Sequence, residues 1–408
     1  FRRVLFRSAG VEHDFEKDGL DLIIRDGRLT ANGTTLGGDN GVAVALMLMV
    51  LDDDEIEHPP VECVFTTEEE VGLNGAKALD KSVLKARTMI NMDSEDEGVA
   101  TVSCAGGLRV QFTKEIKRTT VQGSLLTLKV EGLLGGHSGQ DIDKERQNAD
   151  LLMARMIQRL LKETKGQLVS FNGGTKDNAI PRECEASLIY ESDEEAAKAE
   201  ELACELAETY AEELTPAEPD FSCEISCETN RTAEAIPQDA AKEFICAMRL
   251  APNGIQKRNI KMDGFVVVSL NLGVVRTEED RIVMIFSPRS SVASLQEDTK
   301  ERLNTLAETF GFTVSHSSEY PGWSFKEDSP VREICKESYK ELFGEDLKIE
   351  AIHAGLECGL FSDAIKGLDA IAIGPTIANC HTPDEYLTLD SFERFYEFLK
   401  DILSRLAK

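Results

Sequence analysis

Residues 61–76 read VECVFTTEEEVGLNGA. The apolar half has the length of a short core strand, and it ends abruptly on Glu68, Glu69 and Glu70. Neighbouring carboxylates repel, so three of them at the mouth of a buried strand ask for a compensating cation or a proton-transfer role. Just upstream, NGTTLGGDNG (32–41) is a glycine-rich turn, and GVAVALMLMVLDD (41–53) is an apolar helix running into acid. Downstream, NGAKALDKSVL (74–84) predicts a helical turn or two, and RTMINMD (87–93) a further strand. Helices alternating with apolar strands predict an α/β layer with a largely parallel sheet, whose sites lie beyond the carboxyl ends of its strands.

From about residue 107 the texture changes. Alternating strands (LRVQFTKEI, SLLTLKVEG, CEASLIYES) interleave with the long helices 144–163 and 193–214. A second set follows: FSCEISCE, the helix 239–250, strands GFVVVSLNLGVV and RIVMIFSPR, the helix 292–310 and the strand TVSHSS. This predicts a duplicated α+β unit inserted into the α/β domain, with the first domain over 1–106 and 324–408 and the insertion over 107–323. The length of 408 residues agrees, because a single core rarely grows beyond about 300.

The formal charge of −29 excludes a nucleic-acid partner, which needs a basic face. No apolar run approaches the ~20 residues that span a bilayer, so a membrane role is not expected. The ten cysteines are scattered and include no Cys-x-x-Cys pair, which points to free thiols in a reducing compartment and to the cytoplasm. Cys223 and Cys227 fall on one face of an alternating strand. The opening FRRVLFRS, three arginines in an acidic chain, reads as a basic tail or as a scar joined to an N-terminally truncated protein.

Four short segments at strand ends or glycine turns carry the chemistry: LGGDNG with Asp39, TTEEEVG, INMDSEDE with Asp93, and NCHTPDE with His381. Singly, Asp39 could cap a helix, Asp93 could sit in a turn and His381 could be a packed core residue. Convergence of all four would require a cation, and one histidine among carboxylates suits Zn²⁺ or Mn²⁺.

These segments, with CAGG, GGHSGQDI, NAIPREC and HAGLECG in register between them, resemble the aminoacylhistidine (carnosine-type) dipeptidases of the di-zinc aminopeptidase-like superfamily. The likeness runs from about residue 11 to the C-terminus. It implies hydrolysis of unblocked dipeptides, Xaa-His preferred, on a zinc-peptidase-like catalytic domain whose insertion is a lid of two ferredoxin-like halves. Tripeptidases and N-acyl amino acid deacylases share that scaffold, and a catalytically dead binding protein is the reading from another class. The resemblance implies two divalent ions, zinc first, with manganese or cobalt as substitutes. Asp39 would bridge them, Glu70 and His381 would hold one, and Asp93 the other. Glu69 would be the general base and Glu68 a solvated bystander.

The same resemblance assigns His137, set between glycines, to the oxyanion. It places Asn178 and Arg289 on the substrate, the arginine on a terminal carboxylate, and Glu357 on the free amino group. His353 is a weaker candidate, His13, His58 and His316 read as surface residues, and Cys380 as a space-filler. A homodimer is allowed but not required. The family's first metal motif, a His-x-Asp pair upstream of EHDFEKDG, has no counterpart here, so this chain is expected to hold at most one ion well and to be impaired.

Overall fold

The computed structural model describes residues 5–70, 72–261 and 264–408. The chain forms two compact units, one of residues up to Cys104 together with Pro321–Lys408, the other Ala105–Tyr320.

The first unit holds two four-stranded sheets. In one, the order is Lys348–Ile352, Val99–Cys104, Asp369–Ala372, Thr88–Asn91. The two outer pairs are parallel and the central pair is antiparallel, so the sheet is mixed where a largely parallel one was expected. The reason is a short link: residues 92–98 between Thr88–Asn91 and Val99–Cys104 are too few for the crossover that would return the chain parallel, so Val99–Cys104 runs opposite to Thr88–Asn91 and hence to Asp369–Ala372, which lies between them. The other sheet, Leu22–Arg25, Arg28–Ala31, Tyr386–Thr388, Ile377–Ala378, is antiparallel throughout. The expected strand at 61–65 does not form: the segment pairs with no strand among the described residues. Helices Gly38–Asp52, Pro330–Phe343 and Leu389–Leu406 complete the unit. The second is well specified, with Ser329 capping its first turn, proline just inside and Gly344 at φ 75° ending it. Tyr339, Phe343 and Phe398 join it to the last helix through edge-to-face contacts.

The second unit is built on a nine-stranded sheet. Its main path runs Ser222–Ala235, Thr119–Glu131, Cys184–Tyr190, Gln167–Gly173, Val266–Thr277, Arg281–Ser290, Gly106–Glu115, Thr313–Tyr320. Numbered by chain position, the first four stand 4-1-3-2. The last four, read from the other edge, stand 4-1-3-2 as well, the split-βαβ order twice over. The two sets meet through the single pairing of Gly173 with Val275. The division differs from the serial one expected. FSCEISCE closes the first set rather than opening the second, and LRVQFTKEI is the first strand of the second set, so one unit is nested inside the other. Strand-to-helix alternation is the same under both divisions; only pairing distinguishes them. The strand Gln167–Gly173, absent from the sequence reading, supplies the joining edge.

Helix Ala149–Glu163 shows how sequence sets this packing. Leu152, Met153, Met156, Ile157 and Leu160 recur at helical spacing and are buried in the unit's core. Asn148 accepts from the amides of Asp150 and Leu151 and donates Nδ2 to the Leu272 carbonyl at 2.8 Å, which ties the helix start to a central strand.

Candidate active site

The turn TTEEEVGLNGA folds back on its own carbonyls. The amides of Leu73, Asn74 and Gly75 donate to Glu69, Glu68 and Thr67 at 2.8, 3.1 and 2.8 Å. Gly75 is obligatory, because a Cβ there would stand 2.3 Å from the Thr67 oxygen. Glu68 sits at φ 56° and is exposed, its carboxylate accepting from Asn74 Nδ2.

Glu70 meets two partners from distant parts of the chain. His381 Nε2 lies 2.8 Å from Glu70 Oε1 and 2.9 Å from Asp39 Oδ2. His381 is held at φ 62°, a left-handed conformation uncommon outside glycine that concentrates at functional sites. Asp39 is fixed from behind by Glu385, 1% exposed, whose carboxylate accepts from the amides of Gly37 at 2.7 Å and Asp39 at 3.1 Å. Asn40 fixes Asp93: its Nδ2 donates to Asp93 Oδ1 at 2.8 Å and to the Met92 carbonyl at 3.1 Å. Glu357 accepts from Thr66 Oγ1 at 2.8 Å.

The electrostatics record how many negative groups share this space. Burial, then the charges of Glu70, Glu357 and Asp39, push Glu69 up to about 7. Glu70 is raised by burial against the opposing pull of His381. Asp93 is raised well above the carboxylate range by burial and by Asp39, and Glu357 and Glu95 are raised by burial. Burial would lower His381, but Glu70 and Asp39 outweigh it and the ring is raised. Among the described residues, two sets of three donors lie within 4.8 Å of one another: Asp39, Glu70, His381 and Asp39, Glu95, Cys380. The first is the trio expected. Asp93 belongs to neither set. Glu95 and Cys380 were not singled out; Cys380, read as filler, is hydrogen-bonded to Glu95, and its only sequence signal is its place beside His381.

His137, Asn178 and Arg289 all lie in the second unit. His137 and Ala179 pair across two short strands, and the Ser138 amide donates to the Asn178 carbonyl at 2.9 Å. His137 Nδ1 accepts from the amides of Gln140 at 3.0 Å and Gly139 at 3.3 Å, which leaves the proton on Nε2. Burial, helped by the Arg289 charge, lowers its pKa and keeps the ring neutral. Arg289 is 7% exposed; Nη1 donates to Tyr320 at 3.0 Å while its buried Nε has no partner. His353 is buried, His13 is half-buried against Phe15 rather than on the surface, and His58 and His316 are exposed.

The chain matches Peptidase family M20/M25/M40 over residues 10–405 and belongs to that family, which makes it a hydrolase of peptide bonds. It is similar to the cytosol non-specific dipeptidase of Escherichia coli (strain K12), 34% identical over 400 residues, covering 97% of this chain and 81% of that protein. Among solved structures it is similar to the aminoacylhistidine dipeptidase from Vibrio alginolyticus, at 35% identity and a TM-score of 0.93 over 98% of this chain and 81% of that one. An aminopeptidase from Bacillus cereus shares the fold at 16% identity, TM-score 0.50, over 99% of this chain and 84% of that one.

Proposed function

We propose that the protein is a metal-dependent dipeptidase that hydrolyses unblocked dipeptides, Xaa-His foremost. The observation that carries this reading is the meeting of Asp39, Glu70 and His381 with Glu69 beside them, raised to about 7 and bonded to none of the three. The relatives named as dipeptidases support the substrate size, and the Vibrio enzyme's name supports the histidine.

The residues present fit a divalent ion. Two carboxylates and an imidazole converge within 4.8 Å, and the carboxylates around them are raised by crowding that a cation would relieve. Asp39, Glu70 and His381 would hold it, with zinc the first expectation; Asp93, or the Glu95 and Cys380 pair, stands next to Asp39 for a second ion. When bound, such an ion supplies Lewis acidity and brings the pKa of water toward neutrality.

The remaining chemistry belongs to the protein. Glu69 takes a proton from the attacking water and returns it to the departing amine, a task suited to a carboxyl near 7. Neutral His137, with its proton on Nε2, is the oxyanion donor. Arg289 holds the terminal carboxylate, Asn178 contacts the substrate, and Glu357 holds the free ammonium. A panel of Xaa-His dipeptides, tripeptides and N-acyl amino acids tests this. Preferential cleavage of the dipeptides is expected; preference for tripeptides or acyl amino acids overturns the substrate, and metal binding without cleavage of any of them overturns the activity. The ten unpaired cysteines support a reducing, cytoplasmic setting.

A further inference from the structure

The loop that carries His137 begins and ends on one buried carboxylate. Glu218, 2% exposed, lies in the link between helix Asp193–Leu214 and strand Ser222–Ala235. Its Oε2 accepts from the Leu134 amide at 2.7 Å and its Oε1 from the Gln147 amide at 2.9 Å. Leu134 follows strand Thr119–Glu131, and Gln147 precedes Asn148, the cap of helix Ala149–Glu163. The two oxygens of a single carboxyl group therefore close the loop at both ends. The link is tight against the loop's root: a Cβ on Gly132, at φ 79°, would stand 1.9 Å from the Asp220 carbonyl oxygen. Inside the loop, Gly135 and Gly136 stand at φ 61° and 137°. Such backbone is free to move unless bonds fix it, so the place of His137 has to be imposed. Asp141 does this locally: its carboxylate accepts from the His137 amide at 2.8 Å, and its own amide donates to the His137 carbonyl at 3.0 Å. That turn sets the Gly139 and Gln140 amides on Nδ1, the contacts that leave the proton on Nε2.

We propose that Glu218 is a positioning residue for catalysis: by pinning Leu134 and Gln147 it keeps the Gly139 and Gln140 amides on Nδ1 of His137 and so presents Nε2–H as the donor. This rests on the reading of His137 as the oxyanion donor, and Glu218 acts through the loop. Hydrogen bonds to an ionised group are short and strong, and a buried carboxylate is stable only when its acceptor sites are filled. Both conditions make Glu218 a stiff clasp rather than a loose contact. A purely structural role would lower the amount of folded enzyme and leave the kinetics of the folded fraction alone. Misplacing a donor that bonds only the transition state instead lowers kcat at nearly constant KM.

The test is a double-mutant cycle of Glu218→Gln and His137→Ala in the zinc-loaded full chain, with alanyl-histidine as substrate. Glutamine keeps one acceptor and turns an N–H₂ group toward the other amide. His137→Ala should lower kcat by about 10²–10³-fold. Glu218→Gln should lower it by about 10–100-fold with KM within about twofold. In the His137→Ala background, Glu218→Gln should change kcat by less than about twofold, because both act through one group. The same loss in both backgrounds, or no loss in either, overturns the proposal and leaves the role of His137 standing. Undiminished kcat in His137→Ala removes that role and the proposal with it. A second readout needs neither metal nor turnover. Long-range proton–nitrogen NMR correlations of the metal-free chain, with the His137 signals identified by their loss in His137→Ala, should show the Nε2–H tautomer alone in the parent and a mixture of tautomers in Glu218→Gln. A single, unchanged tautomer in that variant overturns the proposal. If Glu218→Gln does not fold, Glu218→Asp replaces it with the same expected outcomes, since its shorter stem keeps the charge but cannot reach both amides together.

Discussion

Asp150 sits in the first turn of helix Ala149–Glu163 and is fully buried, with neither carboxylate oxygen hydrogen-bonded to nitrogen or oxygen. Its neighbours are the Cys184 thiol and, more distantly, the Arg276 guanidinium. Room for it exists only because residue 173 is glycine, where a Cβ would stand 1.6 Å from Asp150 Oδ1. Burial outweighs both favourable neighbours and pushes the carboxyl up to about 8 from 3.8. The folded protein therefore keeps a proton that the unfolded chain has released, so this residue's contribution is fully present below about pH 4 and is lost as pH rises toward 8. Between those limits the loss is on the order of 3 kcal/mol from pH 5 to pH 7. Asp150→Asn preserves the shape and removes the titration. Urea unfolding of both proteins at pH 5, 6 and 7, followed by circular dichroism, should show the variant gaining about 3 kcal/mol on the parent across that range. Every other titrating group cancels in the comparison. Parallel stability profiles for the two proteins would mean that Asp150 is ionised in place, and the argument from its burial would fail.

Glu69→Gln should lower turnover by about 10²–10⁴ while leaving zinc affinity, read by calorimetry, unchanged; parallel loss of zinc would make Glu69 a ligand rather than a base. Glu385→Gln leaves one of the Gly37 and Asp39 amides facing an N–H₂ group, so stability should fall by about 1.5–3 kcal/mol and zinc affinity by about 10–100-fold. His381 is raised by Glu70 and Asp39 and must lose its proton to bind metal. Zinc binding near pH 6.5 should therefore release protons, seen as a calorimetric heat that varies with buffer ionisation enthalpy, and His381→Ala should abolish most of that release.

The parts of the site that could be read from the chain are those whose chemistry lies in a single side chain. Asp39, Glu70 and His381 announce themselves as carboxylates and an imidazole at turns and strand ends, and the structure brings these three together. The separation of Glu69 from Glu70 rested on a strand end at 61–65 that does not form among the described residues; in the turn that stands there, Glu70 meets His381. What stayed hidden is relational. Glu385 looks like one more surface acid in HTPDEY, and its function exists only because the backbone of Gly37, 348 residues away, presents an amide to it. Cys380 and Glu95 are unremarkable until the approach of Asp39 makes them a donor set.

The same distinction separates the elements found from those missed. Helix Ala149–Glu163 carries its reason for forming in its own spacing, whereas 61–65 has strand composition and no partner strand among the described residues, and composition alone cannot make a strand. The nested order of the second unit makes the point at the level of topology. LRVQFTKEI and FSCEISCE are equally good strands, and nothing within either says which set it completes. That is decided by the long-range pairings of Gly106–Glu115 with Arg281–Ser290 and of Ser222–Ala235 with Thr119–Glu131. A variant that weakens local propensity in either strand should therefore leave the order intact. One that breaks the cross-strand pairing should lose it, because the information resides in the pairing.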